Sequence, residues 1–279
     1  MKYVIFNGQL IKTKKANISL LDKGYWFDFC VYSSLKVIQG QPFFLDYHID
    51  RLFESAQILG LAHKFKKEDL KNWTEKLIKK NKITDALLRF VLIGDPDSDE
   101  SKLYILPITG LTYHKNQDYS HGVKVISYNG QRPIPQAKTK SLLLSFLAYT
   151  KAKKVNCQEA LMIDDEGNVR EGTQTNFYVI KDSQLIVPPS EKCLGGITKK
   201  FILEAVKNEF EIIEKDVSIV DVKSGKYEEV FISSTTRNVM PVSQIDDYIV
   251  GKSFEKTKKI SKLFKDYQDK MLTGCSSVG

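Results

Sequence analysis

Cysteine is scarce in this chain: Cys30, Cys157, Cys193 and Cys275 are scattered through 279 residues with no C-x-x-C pair. That spacing excludes a disulfide framework and a cysteine zinc site, and leaves reduced thiols. The four histidines, His48, His63, His114 and His121, form neither H-x-x-x-H nor H-E-x-x-H, so no metal site is expected. No apolar run approaches the roughly 20 residues of a membrane span, and M-K-Y-V-I-F-N-G enters a strand and turn without a secretory pattern. A cytoplasmic protein with no membrane partner is expected. The phosphate fingerprints G-x-G-x-x-G and G-x-x-x-x-G-K-[ST] are also missing, so nothing speaks for a dinucleotide or P-loop site.

What is abundant is positive charge, +8 overall. The lysines at 64–67, 71, 76–82 and 252–265 alternate with apolar residues at helical spacing, which reads as solvated helix faces. No nucleic-acid partner is expected, although a positive field favours anionic small molecules.

Short apolar runs broken by N-G, D-K-G and Q-G-Q-P predict antiparallel strands and hairpins before residue 45. Ile49, Leu52, Phe53, Ala56 and Leu59 predict an amphipathic helix from Asp46 that stops at Gly60. Another helix is expected at 67–82, with strands at 86–93 and 102–109. The polar stretch 110–121 reads as a link between a smaller and a larger domain. Beyond it the pattern predicts a strand at 123–128, a helix at 141–155, a hairpin over 158–180 and a strand at 184–187. A helix at 197–209, strands near 211–219 and 229–233, and a last helix from Ser253 complete an α+β chain.

Five segments could carry chemistry. In G-N-V-R-E-G-T-Q-T-N, Glu171 is either a solvated edge residue or a buried carboxylate that requires a cationic or protonated partner. In L-G-G-I-T, the backbone N–H groups and Thr198 could hold a phosphate at a helix start, or Gly195-Gly196 could be an ordinary turn. Ser233 to Thr236 offer more donors than a turn needs, but Ser/Thr-rich loops are common. Arg51 could clamp a phosphate, or pair on the surface with Asp50 or Glu54. Lys138 and Lys140 could supply a nucleophilic amine or be two lysines among many.

In order, H-I-D-R-L, R-P-I-P-Q-A-K-T-K, E-G-T-Q-T-N-F, L-G-G-I-T and S-S-T-T-R-N-V-M-P-V resemble the class IV (fold type IV) pyridoxal-phosphate aminotransferases. That family includes branched-chain and D-amino-acid aminotransferases and aminodeoxychorismate lyases. The resemblance runs from N-G-Q near the start to Pro241. It implies a two-domain fold: a small α/β domain (1–112), a linker (113–121) and a larger β-barrel-like domain with flanking helices (122–279). It also implies pyridoxal 5'-phosphate as cofactor, an amino acid and a 2-oxo acid as substrates, ping-pong kinetics and a homodimer.

Residue by residue, the resemblance implies that Lys138 forms the Schiff base, with Lys140 as fallback. Glu171 would pair with the pyridine nitrogen, and Asn176 would support that turn. Arg51, Ile197, Thr198, Ser234 and Thr235 would form the phosphate cup, with Tyr32, Gln174 and Thr236 on the substrate side.

The front hairpin departs from the family's usual F-G-D-G-V-F-E. Here it reads F-D-F-C-V-Y-S, with Asp28, Cys30 and Ser33 replacing two glycines and a glutamate. Ile93 before Gly94 argues against a D-alanine enzyme, and L-I-G-D looks more like branched-chain members. Ser33 and Lys138-Thr139 look somewhat like the lyases, in which a hydroxyl helps protonate the departing pyruvate unit. Transamination is the expected activity, and aminodeoxychorismate cleavage the alternative.

Overall fold

The computed structural model describes residues 1–108 and 116–275, with side chains through 271. The chain divides into two compact units, Met1–Thr112 with Gln136–Ser141, and Tyr113–Pro135 with Leu142–Gly279. Each is built on one curled sheet.

In the first unit six antiparallel strands, β1 (Tyr3–Phe6), β2 (Gln9–Lys12), β3 (Cys30–Ile38), β4 (Gln41–Pro42), β5 (Ala86–Asp95) and β6 (Ser98–Ile108), lie in the order β2-β1-β6-β5-β3-β4. One short helix, α1 (Lys23–Trp26), and two longer ones, α2 (Leu45–Ile58) and α3 (Lys67–Asn81), accompany them. The buried face of α2 is Leu45, Ile49, Leu52 and Ala56, spaced four, three and four residues apart as a helix requires. It packs into one core with Val31, Leu35, Leu88 and Phe90 from the sheet. Each such Leu or Ile contributes roughly 1.5–3 kcal/mol by leaving water.

Residues 136–141 pack with this unit because they extend its sheet edge. Thr139 bridges Val31 antiparallel, the Tyr32 N–H donates to the Lys138 carbonyl at 3.0 Å, and the Lys140 N–H donates to the Cys30 carbonyl at 2.9 Å. Asp28, which replaces a family glycine, keeps a left-handed φ of 48°, a conformation that Asp tolerates better than most residues.

The second unit opens with α4 (Asn116–His121), which occupies the later part of the stretch read as a linker; 109–115 lie outside the described residues. There follow β7 (Val123–Asn129), α5 (Leu143–Lys154), β8 (Glu159–Ile163), β9 (Val169–Gly172), β10 (Asn176–Lys181), β11 (Gln184–Val187) and α6 (Ile197–Val206). Next come β12 (Glu211–Glu214), α7 (Ile219–Lys223), β13 (Glu229–Ser234), β14 (Asn238–Ile245), β15 (Tyr248–Ile249) and α8 (Glu255–Cys275). The sheet order is β12-β11-β10-β13-β14-β7-β8-β9, with β15 beside β14. A three-residue turn joins β9 to β10, so the path from β10 to β9 curls back to its own start, the barrel-like form expected.

Two expectations change here. The strand expected over 211–219 ends at Glu214, because Ser218 caps a helix by accepting the Val220 N–H. β14, not expected from the sequence, is an interior strand despite Pro241, which pairs with Phe231 where a ladder donor would ordinarily stand.

Candidate active site

Four site residues of the first unit surround the start of β3 and the bridge segment. The Lys138 ammonium lies 4.8 Å from the centre of the Tyr32 ring, and its backbone N–H donates to Ser55 Oγ at 3.0 Å. Lys140 sits elsewhere: its Nζ is 4.0 Å from Asp28 and 5.4 Å from the Tyr25 ring centre. Arg51 donates from Nη2 to Ser33 Oγ at 2.9 Å, and the same hydroxyl is 3.1 Å from His48 Nδ1. Asp50 receives Lys67, at 2.7 and 2.8 Å. Arg51 comes from α2 and Ser33 from β3, so the guanidinium is held across the helix–sheet seam.

Sequence reasoning missed His48. It is 2% exposed, and burial, reinforced by Arg51 and Lys138, holds it well below the usual imidazole range and therefore neutral. Its position in H-I-D-R, three residues before Arg51 on one helix face, was the available signal. Also missed was Arg89, which donates from Nε to Ser34 at 3.1 Å and lies 5.3 Å from the Tyr32 ring centre. Cys30, the other altered position, is 2% exposed with its thiol pushed up to about 12 by burial, so it is an inert filler.

The second unit gathers the remaining residues on three turns. Glu171, on β9, is 2% exposed and not a solvated edge residue. It meets Arg132, whose Nε lies 2.9 Å from Oε1 without its N–H aimed at that oxygen, so the contact is ionic rather than an aligned hydrogen bond. Arg132 opens R-P-I-P-Q-A-K-T-K, a segment in which sequence alone assigns a role only to the lysines. In the turn after Glu171, Gln174 is exposed while Thr173 and Thr175 are buried.

Asn176 begins β10 and donates to the Leu194 carbonyl at 2.8 Å, tying this turn to L-G-G-I-T. A side chain at Gly196 would meet Asn176 Oδ1 at 1.8 Å, which explains the second glycine. Gly196 is the N-cap of α6. The helix start has no side-chain cap and no acidic residue, while Ile197 and Thr198 are nearly buried there. Thr198 is thus inside the first turn, not at the cap. Free N–H groups and a positive helix end favour an anion at such a place.

The third turn joins β13 to β14. Ser234, Thr235 and Thr236 are half-buried; Ser234 Oγ accepts the Arg237 N–H at 3.2 Å and lies 3.4 Å from Thr236 Oγ1. A groove of about 580 Å³ on the outer side of α2, lined by Asp50, Phe53, Glu54 and His63, contains none of these residues and is not the site.

Residues 30–245 match the model of the family described as amino-transferase class IV. The chain belongs to that family. A D-alanine aminotransferase of Bacillus licheniformis is 30% identical over 257 residues, 89% of this chain and 90% of its own. The branched-chain-amino-acid aminotransferase of Pseudomonas aeruginosa is 26% identical over 281 residues, covering 94% and 91%. The solved branched-chain amino acid aminotransferase of Escherichia coli shares the fold, with a TM-score of 0.86 at 23% identity over 95% of this chain and 94% of that one. This class IV aminotransferase is accordingly an α+β, two-domain protein of the fold expected from its motifs, and its activity is amino-group transfer.

Proposed function

We propose that this aminotransferase is a cytoplasmic pyridoxal-phosphate enzyme that moves an amino group between a branched-chain-like amino acid and a 2-oxo acid. Glu171 carries the cofactor assignment: a buried carboxylate inside the second unit fits a cationic ring nitrogen, and Arg132 offsets its burial. The uncapped, acid-free start of α6 fits the phosphate. Arg51, Ile197, Thr198, Ser234 and Thr235 are assigned to the phosphate, and Tyr32, Gln174 and Thr236 to the substrate. When bound, the pyridine ring supplies an electron sink for the pair left by the Cα proton. Lys138 Nζ anchors the cofactor and, once displaced, takes the Cα proton as base and returns it as acid. Its place against the Tyr32 ring, with Lys140 held toward Asp28, supports Lys138 over the fallback.

The branched-chain preference rests on the branched-chain relative and solved structure named above and on Ile93, where D-amino-acid members usually carry an arginine. The lyase alternative is weakened at Ser33, which is fully buried with its hydroxyl engaged by Arg51 and His48 rather than offered to a departing pyruvate unit. A homodimer is supported by exposed apolar surface: Leu20, Leu21, Trp26 and Phe27 in the first unit, and Leu143, Phe146 and Leu147 along α5 in the second.

The test is the visible spectrum of the purified enzyme before and after separate additions of L-leucine, D-alanine and aminodeoxychorismate. Bleaching of a yellow band by L-leucine is the expected result. Bleaching by D-alanine alone would reverse the stereochemical assignment. Pyruvate release from aminodeoxychorismate would restore the lyase, and a colourless protein that cannot be reconstituted would overturn the cofactor assignment.

A further inference from the structure

Glu159 and Arg237 take no part in the chemistry above, yet they form the most completely buried ion pair of the second unit, at 0% and 5% exposed. A pair so buried costs desolvation that apolar side chains would avoid, so its retention invites a positional explanation. The contacts supply one. Glu159 Oε1 accepts the Ala160 N–H at 2.9 Å, the Thr173 N–H at 3.2 Å and the Thr173 hydroxyl, while Oε2 takes Arg237 Nη1 and, at 3.4 Å, the Thr175 hydroxyl. Arg237 Nη2 donates to the Gln158 carbonyl at 3.0 Å. One carboxylate thus joins β8, the turn after Glu171 and the Ser/Thr turn.

We infer that Glu159 and Arg237 are a positioning pair that sets the Ser/Thr turn as a phosphate binder. Arg237 is the residue through which that turn is anchored, and its own N–H occupies Ser234 Oγ at 3.2 Å. With that oxygen accepting, the Ser234 hydroxyl proton is directed away from Arg237, toward Thr236 Oγ1 at 3.4 Å or toward an incoming anion. Loss of the anchor lets the turn shift and weakens donors aimed at phosphate, while an amide oxygen at position 159 can still accept the Ala160 and Thr173 N–H groups and so keep the turn after Glu171 tied. This inference rests on the cofactor assignment proposed above.

The test titrates the full-length apo protein with pyridoxal phosphate and with pyridoxal, following absorbance, and records Tm for the wild type, R237M and the double variant E159Q/R237M. The single variant strands a buried carboxylate and is expected to lower Tm. The double variant removes both charges and is expected to recover Tm while binding pyridoxal phosphate about tenfold more weakly than wild type. Its pyridoxal affinity should stay within about twofold of wild type, a selectivity that a merely structural pair would not produce. Recovery of pyridoxal-phosphate affinity along with Tm would overturn the inference, as would equal losses for the two ligands. A wild type that binds neither ligand would overturn the cofactor assignment and the inference with it. Binding by the wild type with no phosphate-selective loss in the double variant would overturn the inference alone.

Discussion

The two units hold their polar residues by different means. In the first, Arg51 touches a serine hydroxyl and an uncharged imidazole, and Lys138 an aromatic face. In the second, two buried carboxylates face arginines, Glu171 with Arg132 and Glu159 with Arg237. A hydroxyl, an imidazole and a ring face orient a cation without opposite charge of their own; opposite charges fix geometry at a cost in desolvation. The first arrangement suits groups that must act on a ligand, and the second suits groups that must stay where they are.

Breaking the acting group should produce the largest effect. K138A is expected to lower turnover by on the order of 10³-fold and to abolish the visible band, measured by half-reaction rates and absorbance, while K140A retains both. If K140A were the inactive variant, the anchor would move to Lys140. In the second unit, R132M should remove a cation from beside the buried Glu171 and cost about 3–5 kcal/mol in urea unfolding. A loss below about 1 kcal/mol would mean that Glu171 is satisfied without Arg132.

G196A sharpens the contrast, since its new methyl would run into Asn176 and displace the α6 start. About 1–3 kcal/mol of destabilisation is expected, with weakened phosphate binding by equilibrium titration. An unchanged phosphate affinity would show that the α6 start takes no part in binding.

The smallest effect concerns His48. Its folded pKa is depressed, so the unfolded chain binds more protons between that value and about 6.5, and stability must fall as pH drops below 6.5. Unfolding at pH 7 and pH 5 should show a wild-type loss that H48Q reduces, by at most about 1.4 kcal/mol per pH unit. Equal slopes would show that His48 is protonated in the folded chain.

Where local pattern and tertiary structure agree, the sequence was legible. Ile49, Leu52 and Ala56 announce α2 because a helix shows its buried face at regular intervals. β14 was hidden because Pro241 argues locally against a central strand, and only the neighbours β13 and β7 make one there. The short α7 was hidden because its capping serine lies within a β-branched run, V-S-I-V. At the site, motif order brought out Lys138, Glu171 and Arg51, whereas Arg132 and His48 went unnoticed. Their importance comes from what they face: the loop arginine carries no period that says so, and the three-residue spacing of His48 from Arg51 is a weak signal by itself.

The bridge of residues 136–141 onto β3 has a consequence for how the chain is made. A ribosome delivers Met1–Thr112 long before it delivers the lysine that pairs against their sheet. The N-terminal unit therefore emerges with an unfilled edge at Cys30–Tyr32, which only a later segment can close. A gene cut after residue 112 would encode that exposed edge without its closing strand, and supplying residues 136–141 as a separate peptide is the natural way to complete it.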